Sequence, residues 1–153
     1  MQGIINDFTV VQLGLIVRDV ETTKRQVAEF LGVEPPPTIG SGEYEITQTE
    51  YRGKPAPDAA CQMAFFQFGN LQVEFIQPNE APSTWRDHLE EKGEGLHHIA
   101  FQVKGMERHI ISLDSLGIPM TQKGEYGSGT GRYAYFDARE TLKMFFELLE
   151  SDD

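Results

Sequence analysis

The sequence predicts an α+β fold in which two β-α-β-β-β modules form one cupped, eight-stranded sheet. The first observation is a repeat, because residues 12–21 resemble residues 98–107 at an offset of 86, and similar elements follow each segment. The second is the length of 153 residues, which fits one domain. Modules of about 60 residues would be marginal apart. We therefore expect a single domain over 1–153, with modules at 9–80 and 96–150 and a linker at 81–95.

Each module is predicted to open with a strand and a helix that ends at glycine. Gly32 and Gly117 mark these ends, because glycine adopts the left-handed conformation at a helix C-terminus at little cost. A short linker helix should begin at Ser83 or Thr84 and end at Gly93. Intermediate strands are predicted over residues 44–51, 61–68, 119–122 and 132–137, with a loop at 53–60 and a glycine-rich loop at 124–131.

The closing strand of each module is an apolar run with one embedded acid. These runs are residues 73–76, with Glu74, and residues 146–149, with Glu147. The two acids are 73 residues apart, so the modules differ by 13 residues of insertion and linker. The acids are therefore predicted to occupy equivalent places in the two modules.

The composition excludes several classes of function. There are 13 Lys and Arg residues against 24 Asp and Glu, a formal net charge of −11, so we expect no nucleic-acid partner. The single cysteine, Cys61, excludes an intrachain disulfide framework. No apolar run approaches the roughly 18 residues of a membrane span, and the N-terminus lacks the pattern of a secretory signal. We expect a cytoplasmic protein with no membrane partner.

The alternation of side chains along each strand separates polar from apolar positions. If Leu13 and Ile99 pack on the helices, their neighbours Gln12 and His98 lie on the concave face. His97 is then expected on the opposite face. The same alternation in the closing strands gives four polar residues on the concave face, namely Gln12, Glu74, His98 and Glu147.

One imidazole, one amide oxygen and two carboxylates form a suitable ligand set for a divalent metal. Two carboxylates in an apolar concavity would each cost several kcal/mol unless a cation or another partner compensates them. A lone acid in a strand is usually solvent-exposed, and His88 and His109, on predicted helices, are expected in solvent. The symmetric placement favours a site for one divalent ion (Zn, Co, Ni, Mn or Mg).

These residues carry a resemblance to the vicinal oxygen chelate superfamily, the glyoxalase fold. Residues 93–103 (Gly-Glu-Gly-Leu-His-His-Ile-Ala-Phe-Gln-Val) and 146–150 are similar to characteristic segments of its methylmalonyl-coenzyme A epimerases. The resemblance implies that a metal holds two substrate oxygens while a base moves a proton at the adjacent carbon. It implies that Glu147 is this base and that Glu50 is a second catalytic acid. It also implies a homodimer. An exposed acid at the end of a strand is the alternative for Glu50.

The sequence leaves three functions open. The first is a metal-dependent epimerase acting beside the thioester carbonyl of an acyl-CoA. The second is a lactoylglutathione lyase acting on a glutathione adduct, because Gln12 stands where the epimerases usually have histidine and the resulting set is similar to that of some lyases. The third is a non-catalytic binding protein for small molecules, which should lack a complete metal set. Coenzyme A phosphates would need a basic patch, for which the candidates are Arg52, Lys54, Arg86, Arg132 and Arg139.

Overall fold

The computed structural model describes residues 3–153, in which ten strands form one curled sheet with four helices. The strands are β1 (Val10–Ile16), β2 (Ile39–Gly40), β3 (Glu50–Tyr51), β4 (Lys54–Pro55), β5 (Cys61–Phe68), β6 (Leu71–Pro78), β7 (Gly95–Gln102), β8 (Met120–Glu125), β9 (Gly131–Ala138) and β10 (Met144–Ser151). The helices are α1 (Val20–Leu31), α2 (Tyr44–Thr47), α3 (Thr84–Lys92) and α4 (Met106–Ser115). Of these helices, none is both long and apolar enough to cross a membrane.

The sheet confirms the predicted fold class. Its order is β2-β5-β6-β1-β7-β10-β9-β8-β3-β4, so the first module (β2-β5-β6-β1) and the second (β8-β9-β10-β7) have the same internal order. The modules meet at the centre, where β1 and β7 pair antiparallel. Within the modules, Gln12 lies opposite Gln72 and His98 lies opposite Phe145 in parallel pairs. The opening strands are therefore offset by 86 residues (Gln12 to His98) and the closing strands by 73 (Gln72 to Phe145), as the sequence repeat predicts.

The convex face of each module packs on its own helix, as the alternation of side chains predicts. Val73 and Phe75 of β6 are buried in a cluster with Val20 and Ala28 of α1. In the second module, the corresponding cluster contains Phe146 and Leu148 of β10 with Met106 and Leu113 of α4. The neighbouring positions on β6 and β10 therefore face the concave side.

Glycines end the helices where the sequence predicts. Gly32 follows α1 with φ 71°, and Gly117 lies just beyond α4 with φ 77°. In the linker, the Ser83 side chain accepts a hydrogen bond from Arg86 N at 2.9 Å and caps α3, which ends at Gly93.

The predicted strand over residues 44–51 is wrong for most of its length. Residues 44–47 form the short helix α2, which ends at Gln48, a left-handed residue with φ 46°. The Gln48 side-chain amide donates to the carbonyls of Tyr44 and Glu45 at 3.0 and 3.2 Å, and so satisfies the end of the helical turn. Strand β2 takes the edge place in the first module instead.

Strands β3 and β4 extend the edge of the second module and raise the strand number from eight to ten. They form a hairpin with a two-residue turn at Arg52 (φ 52°) and Gly53 (φ 76°), which is the positive-φ turn that suits strand twist. Strand β3 pairs with β8, where Glu50 lies opposite Lys123. Because β8 also continues to Glu125, the predicted glycine-rich loop is reduced to residues 126–130.

Candidate metal centre

The four central strands each contribute one of the polar residues singled out in the sequence. Strands β6, β1, β7 and β10 are consecutive neighbours in the sheet. Each side chain faces the concave side and is between 0 and 6% exposed. The residues are Glu74 on β6, Gln12 on β1, His98 on β7 and Glu147 on β10.

Their polar atoms converge on one point. His98 Nε2 lies 3.0 Å from Glu147 Oε2 and 3.6 Å from Glu74 Oε2. The side-chain oxygen of Gln12 lies 3.2 Å from His98 Nε2. The same oxygen lies 3.2 Å from Glu74 Oε2 and 3.0 Å from Glu147 Oε2. Three oxygens and one ring nitrogen therefore approach one another in a buried space.

Such a cluster of acceptors is unfavourable without a positive charge or protons. Burial, followed by the nearby charge of Glu147, raises the pKa of Glu74 well above its usual range. The donor set suits a divalent metal, because imidazole nitrogen and carboxylate or amide oxygen are common ligands of such ions. Glu74, His98 and Glu147 also lie close enough together to hold one ion.

The orientation of the Gln12 amide matters for this interpretation. Its Nε2 donates to Gln72 Oε1 at 2.7 Å, which directs its oxygen toward the carboxylates. Reversing the amide would direct its nitrogen to Glu74 and Glu147 instead. That orientation would place the Gln12 oxygen against the Gln72 oxygen, so Gln72 would also have to reverse. The contact with Gln72 therefore favours the orientation that suits a cation.

Gly14 makes room for the imidazole. It lies opposite both Glu74 and His98 in the sheet. A Cβ atom at Gly14 would come within 2.0 Å of His98 Cε1, so no larger residue fits while the ring keeps this position. The signal for this role in the sequence is a glycine inside a predicted strand, which is a known sign of close approach by another group.

Strict alternation predicts His97 on the opposite face of the sheet, and this prediction is wrong. Gly14 pairs with His98 and the next residue, Leu15, pairs with Leu96, so His97 is the extra residue of a β-bulge in β7. Because a bulge interrupts the alternation, both histidines lie on the concave side. The two Nδ1 atoms are 2.9 Å apart. Burial is the main cause that lowers the pKa of His97 well below its usual value.

The two histidines expected in solvent also differ from that expectation. His88 on α3 is buried, and its ring centroid lies 5.3 Å from that of His97. His109 on α4 is partly buried, and its Nδ1 lies 2.9 Å from the Gly105 carbonyl oxygen. Both helices pack these rings against the protein, which the sequence pattern did not reveal.

A cavity of about 560 Å³ opens onto the candidate metal centre and is lined by Gln12, Glu74 and Glu147. Much of the remaining wall is aromatic or apolar, including Phe65, Trp85, Tyr126, Tyr133 and Tyr135. The Trp85 indole donates to the Tyr135 hydroxyl at 3.0 Å, which fixes part of this wall. Burial raises the pKa values of Tyr133 and Tyr135, so both hydroxyls stay neutral. Among the described residues, the lining includes no lysine or arginine.

The structure does not bring Glu50 to this cavity. Its carboxylate is partly exposed at the sheet edge, 3.7 Å from Lys123 Nζ, and it lines a separate groove. The extra hairpin carries Glu50 to the edge of the second module, whereas the prediction placed it in a strand of the first. The exposed strand-end alternative therefore describes its position.

The predicted basic patch also does not form at the cavity. Four of its five candidates are held in ion pairs on the surface, and none of the five lines the cavity. The pairs are Arg52 with Asp87 (3.5 Å), Arg86 with Glu90 (2.8 Å), Arg132 with Glu150 (2.7 Å) and Arg139 with Asp137 (2.7 Å).

Comparison with known proteins defines the class. Residues 11–136 match the model of the glyoxalase/bleomycin resistance protein/dioxygenase superfamily, and the chain belongs to this family. An uncharacterized protein of Bacillus subtilis (strain 168), YqjC, is 34% identical over 89 residues, which are 58% of this chain and 64% of that protein. The match thus spans less than two thirds of that relative.

Solved structures show the same fold. A Bacillus halodurans C-125 hypothetical protein, BH1468, has a TM-score of 0.65 at 20% identity, with 95% of each chain covered. A Streptomyces coelicolor methylmalonyl-CoA epimerase variant, in complex with 2-nitronate-propionyl-CoA, has a TM-score of 0.66 at 17% identity and covers 94% of this chain and 97% of its own. The Mycobacterium tuberculosis methylmalonyl-CoA epimerase has a TM-score of 0.61 at 15% identity, covering 94% and 88%.

Proposed function

We propose that this protein is a metal-dependent isomerase that moves a proton at the carbon beside a thioester carbonyl, as methylmalonyl-CoA epimerases do. The observation that carries the proposal is the convergence of the His98 ring nitrogen and three oxygens beside a largely apolar cavity. The oxygens belong to Gln12, Glu74 and Glu147, which line that cavity. A complete ligand set of this kind has little use in a purely structural core, where each buried carboxylate is costly. It also counts against a non-catalytic binding protein.

In this proposal, Gln12, Glu74, His98 and Glu147 hold one divalent cation. When bound, the cation supplies a Lewis acid that stabilises negative charge developing on the substrate carbonyl oxygen. The fit rests on the donor chemistry of the four side chains and on the direction of the Gln12 oxygen. The apolar wall excludes water and strengthens these electrostatic interactions.

The chain's own residues would then move the proton. Glu147 and Glu74 line the same cavity and belong to opposite modules, at positions that the repeat makes equivalent. We assign proton removal to Glu147, as the sequence resemblance implies. Return of a proton from the Glu74 side would invert the carbon. This pairing replaces Glu50, which lies at the sheet edge.

A lyase acting on the glutathione adduct of a 2-oxoaldehyde is the second candidate. Two observations favour it. Gln12 completes a four-residue set similar to that of some lactoylglutathione lyases, and the arginines proposed for coenzyme A phosphates are already paired with carboxylates. Both candidates remove a proton from a carbon beside a carbonyl, but the epimerase returns it to the same carbon and the lyase delivers it to the adjacent carbon. A single assay can therefore separate them by substrate.

The experiment is deuterium incorporation from D₂O, followed by proton NMR. Metal-loaded protein is incubated with a panel of chiral acyl-CoA thioesters and with glutathione hemithioacetals, beside metal-depleted protein as the control. We expect metal-dependent exchange on the thioesters. Exchange confined to the hemithioacetals would favour the lyase. Metal binding without exchange on either class would contradict both enzymes.

We also propose a homodimer. Apolar side chains at the end of α1 are exposed, with Phe30 85% and Val33 52% exposed in the single chain. An exposed group of this kind is consistent with a covered face in the assembled protein. Analytical ultracentrifugation should give a mass of twice 17.2 kDa, and a monomer at micromolar concentration would contradict the proposal.

A further inference from the structure

The His97 side chain has no role in the mechanism described above, yet it is fully enclosed. Its ring stacks on Phe145 with centroids 5.0 Å apart and lies 5.2 Å from that of Tyr135. Its Nδ1 is 2.9 Å from the Nδ1 of His98. A neutral imidazole has one nitrogen that donates and one that accepts, so a hydrogen bond between these two atoms needs one proton, not two.

The position of the proposed metal site determines which ring carries that proton. His98 Nε2 faces Glu74, Glu147 and the Gln12 oxygen. A nitrogen that binds a cation carries no proton, so neutral His98 must carry its proton on Nδ1. Within residues 3–153, the only hydrogen-bond partner of His98 Nδ1 is His97 Nδ1.

We infer that His97 is a positioning residue that accepts a hydrogen bond from His98 Nδ1 and so holds His98 with Nε2 toward the cation. The inference rests on the proposed metal site. In this arrangement His97 carries its own proton on Nε2, which is buried and has no hydrogen-bond partner in the described part of the chain. The β-bulge is what brings His97 to this place.

Two variants separate hydrogen bonding from packing. His97→Asn keeps an acceptor, because Asn Oδ1 is attached to Cγ as Nδ1 is in histidine. His97→Phe keeps an aromatic ring against Phe145 and Tyr135 but removes the acceptor. Co²⁺ affinity is measured by titration of the metal-free proteins, and the Co²⁺ absorption spectrum reports the ligand geometry. Thermal unfolding of each metal-free protein reports packing separately.

We expect His97→Phe to lower Co²⁺ affinity on the order of 10–100-fold, the usual effect of losing a partner of a metal-bound histidine, and His97→Asn to stay within about threefold of wild type. Equal affinity in all three proteins, or equal losses in both variants, would overturn the inference. A wild-type protein that binds no Co²⁺ would overturn the metal site itself, and the inference with it.

Nitrogen NMR of the wild-type protein tests the same inference without a substitution. In the Zn²⁺-loaded protein, the ¹⁵N shifts and couplings should place the His98 proton on Nδ1 and the His97 proton on Nε2. A His97 proton on Nδ1 in the loaded protein would overturn the inference even if the variants behave as expected.

Discussion

The two modules share one architecture but support their candidate metal ligands differently. In the first module, Gln12 is held by the amide of Gln72 on the adjacent strand. In the second, the position equivalent to Gln72 is Phe145, which cannot hydrogen-bond, and His98 contacts the bulged neighbour His97 instead. The repeat thus explains where the candidate ligands lie, whereas the groups that orient them belong to each module alone.

The largest effect is expected at the equivalent acids Glu74 and Glu147, to which the proposal gives different roles in proton transfer. Glu147→Gln keeps the size and an oxygen atom in place but removes the proposed base. We expect proton exchange to fall on the order of 10²–10⁴-fold, with a moderate loss of metal affinity. The measurement is solvent-deuterium incorporation at equal metal occupancy.

Two variants control for this result. Glu125→Gln removes another carboxylate at the cavity, one that pairs with Arg132 at 3.3 Å, and should leave exchange near wild type. Glu74→Gln should still exchange a proton while losing inversion. Wild-type exchange by Glu147→Gln at full occupancy would remove that residue from the mechanism.

Gly14 provides the next test, because there the first module makes room for His98, the candidate ligand of the second. Gly14→Ala would place a methyl group against the His98 ring and displace it. We expect metal affinity to fall on the order of 10–100-fold, as when a ligand loses its orientation. Gly40→Ala is the matched control, since Gly40 also lines the cavity but a Cβ there meets nothing within 4 Å. Equal affinities in the two variants would contradict the steric argument.

The buried acid in the first module should make stability depend on pH. Burial and the charge of Glu147 raise the Glu74 pKa in the folded protein above its usual value near 4.5. The folded state therefore binds a proton that the unfolded state releases, so this contribution to stability is present below the unfolded pKa and is lost as pH rises through the folded pKa. A bound cation replaces the proton, so metal should stabilise the protein more at higher pH.

Thermal unfolding of metal-free wild type and Glu74→Gln at several pH values isolates this contribution. The variant lacks the titrating group, so it should gain stability relative to wild type as pH rises. A difference between the two proteins that stays constant with pH would show that Glu74 has the same pKa folded and unfolded.

The smallest effect is expected at Glu50. Its carboxylate lies beside Lys123 at the sheet edge, and an exposed ion pair contributes about 0–1 kcal/mol. Glu50→Gln should change exchange by less than about twofold, far below the effect of losing a catalytic base. A loss comparable to that of Glu147→Gln would mean that the edge hairpin moves to the cavity during catalysis.

Side-chain alternation and the repeat were sufficient to predict the central strands. The alternation follows from local strand geometry, so Glu74 and Glu147 could be placed on the concave face from their apolar neighbours alone. The bulge at His97 depends on pairing between β1 and β7, which are separated by almost 80 residues. Residues 44–51 have strand-like composition, but the Gln48 amide satisfies a helical turn there. These non-local or side-chain effects leave no simple period in the sequence.

The central claim is that one divalent cation binds where the four side chains converge. Anomalous diffraction from crystals grown with Co²⁺ tests it most directly, because the anomalous signal locates the metal independently of the protein. We predict a single strong peak with Gln12 Oε1, His98 Nε2 and a carboxylate oxygen from each of Glu74 and Glu147 within about 2.0–2.6 Å. The absence of a peak at this point, with the amide nitrogen of Gln12 donating to both carboxylates, would contradict the account.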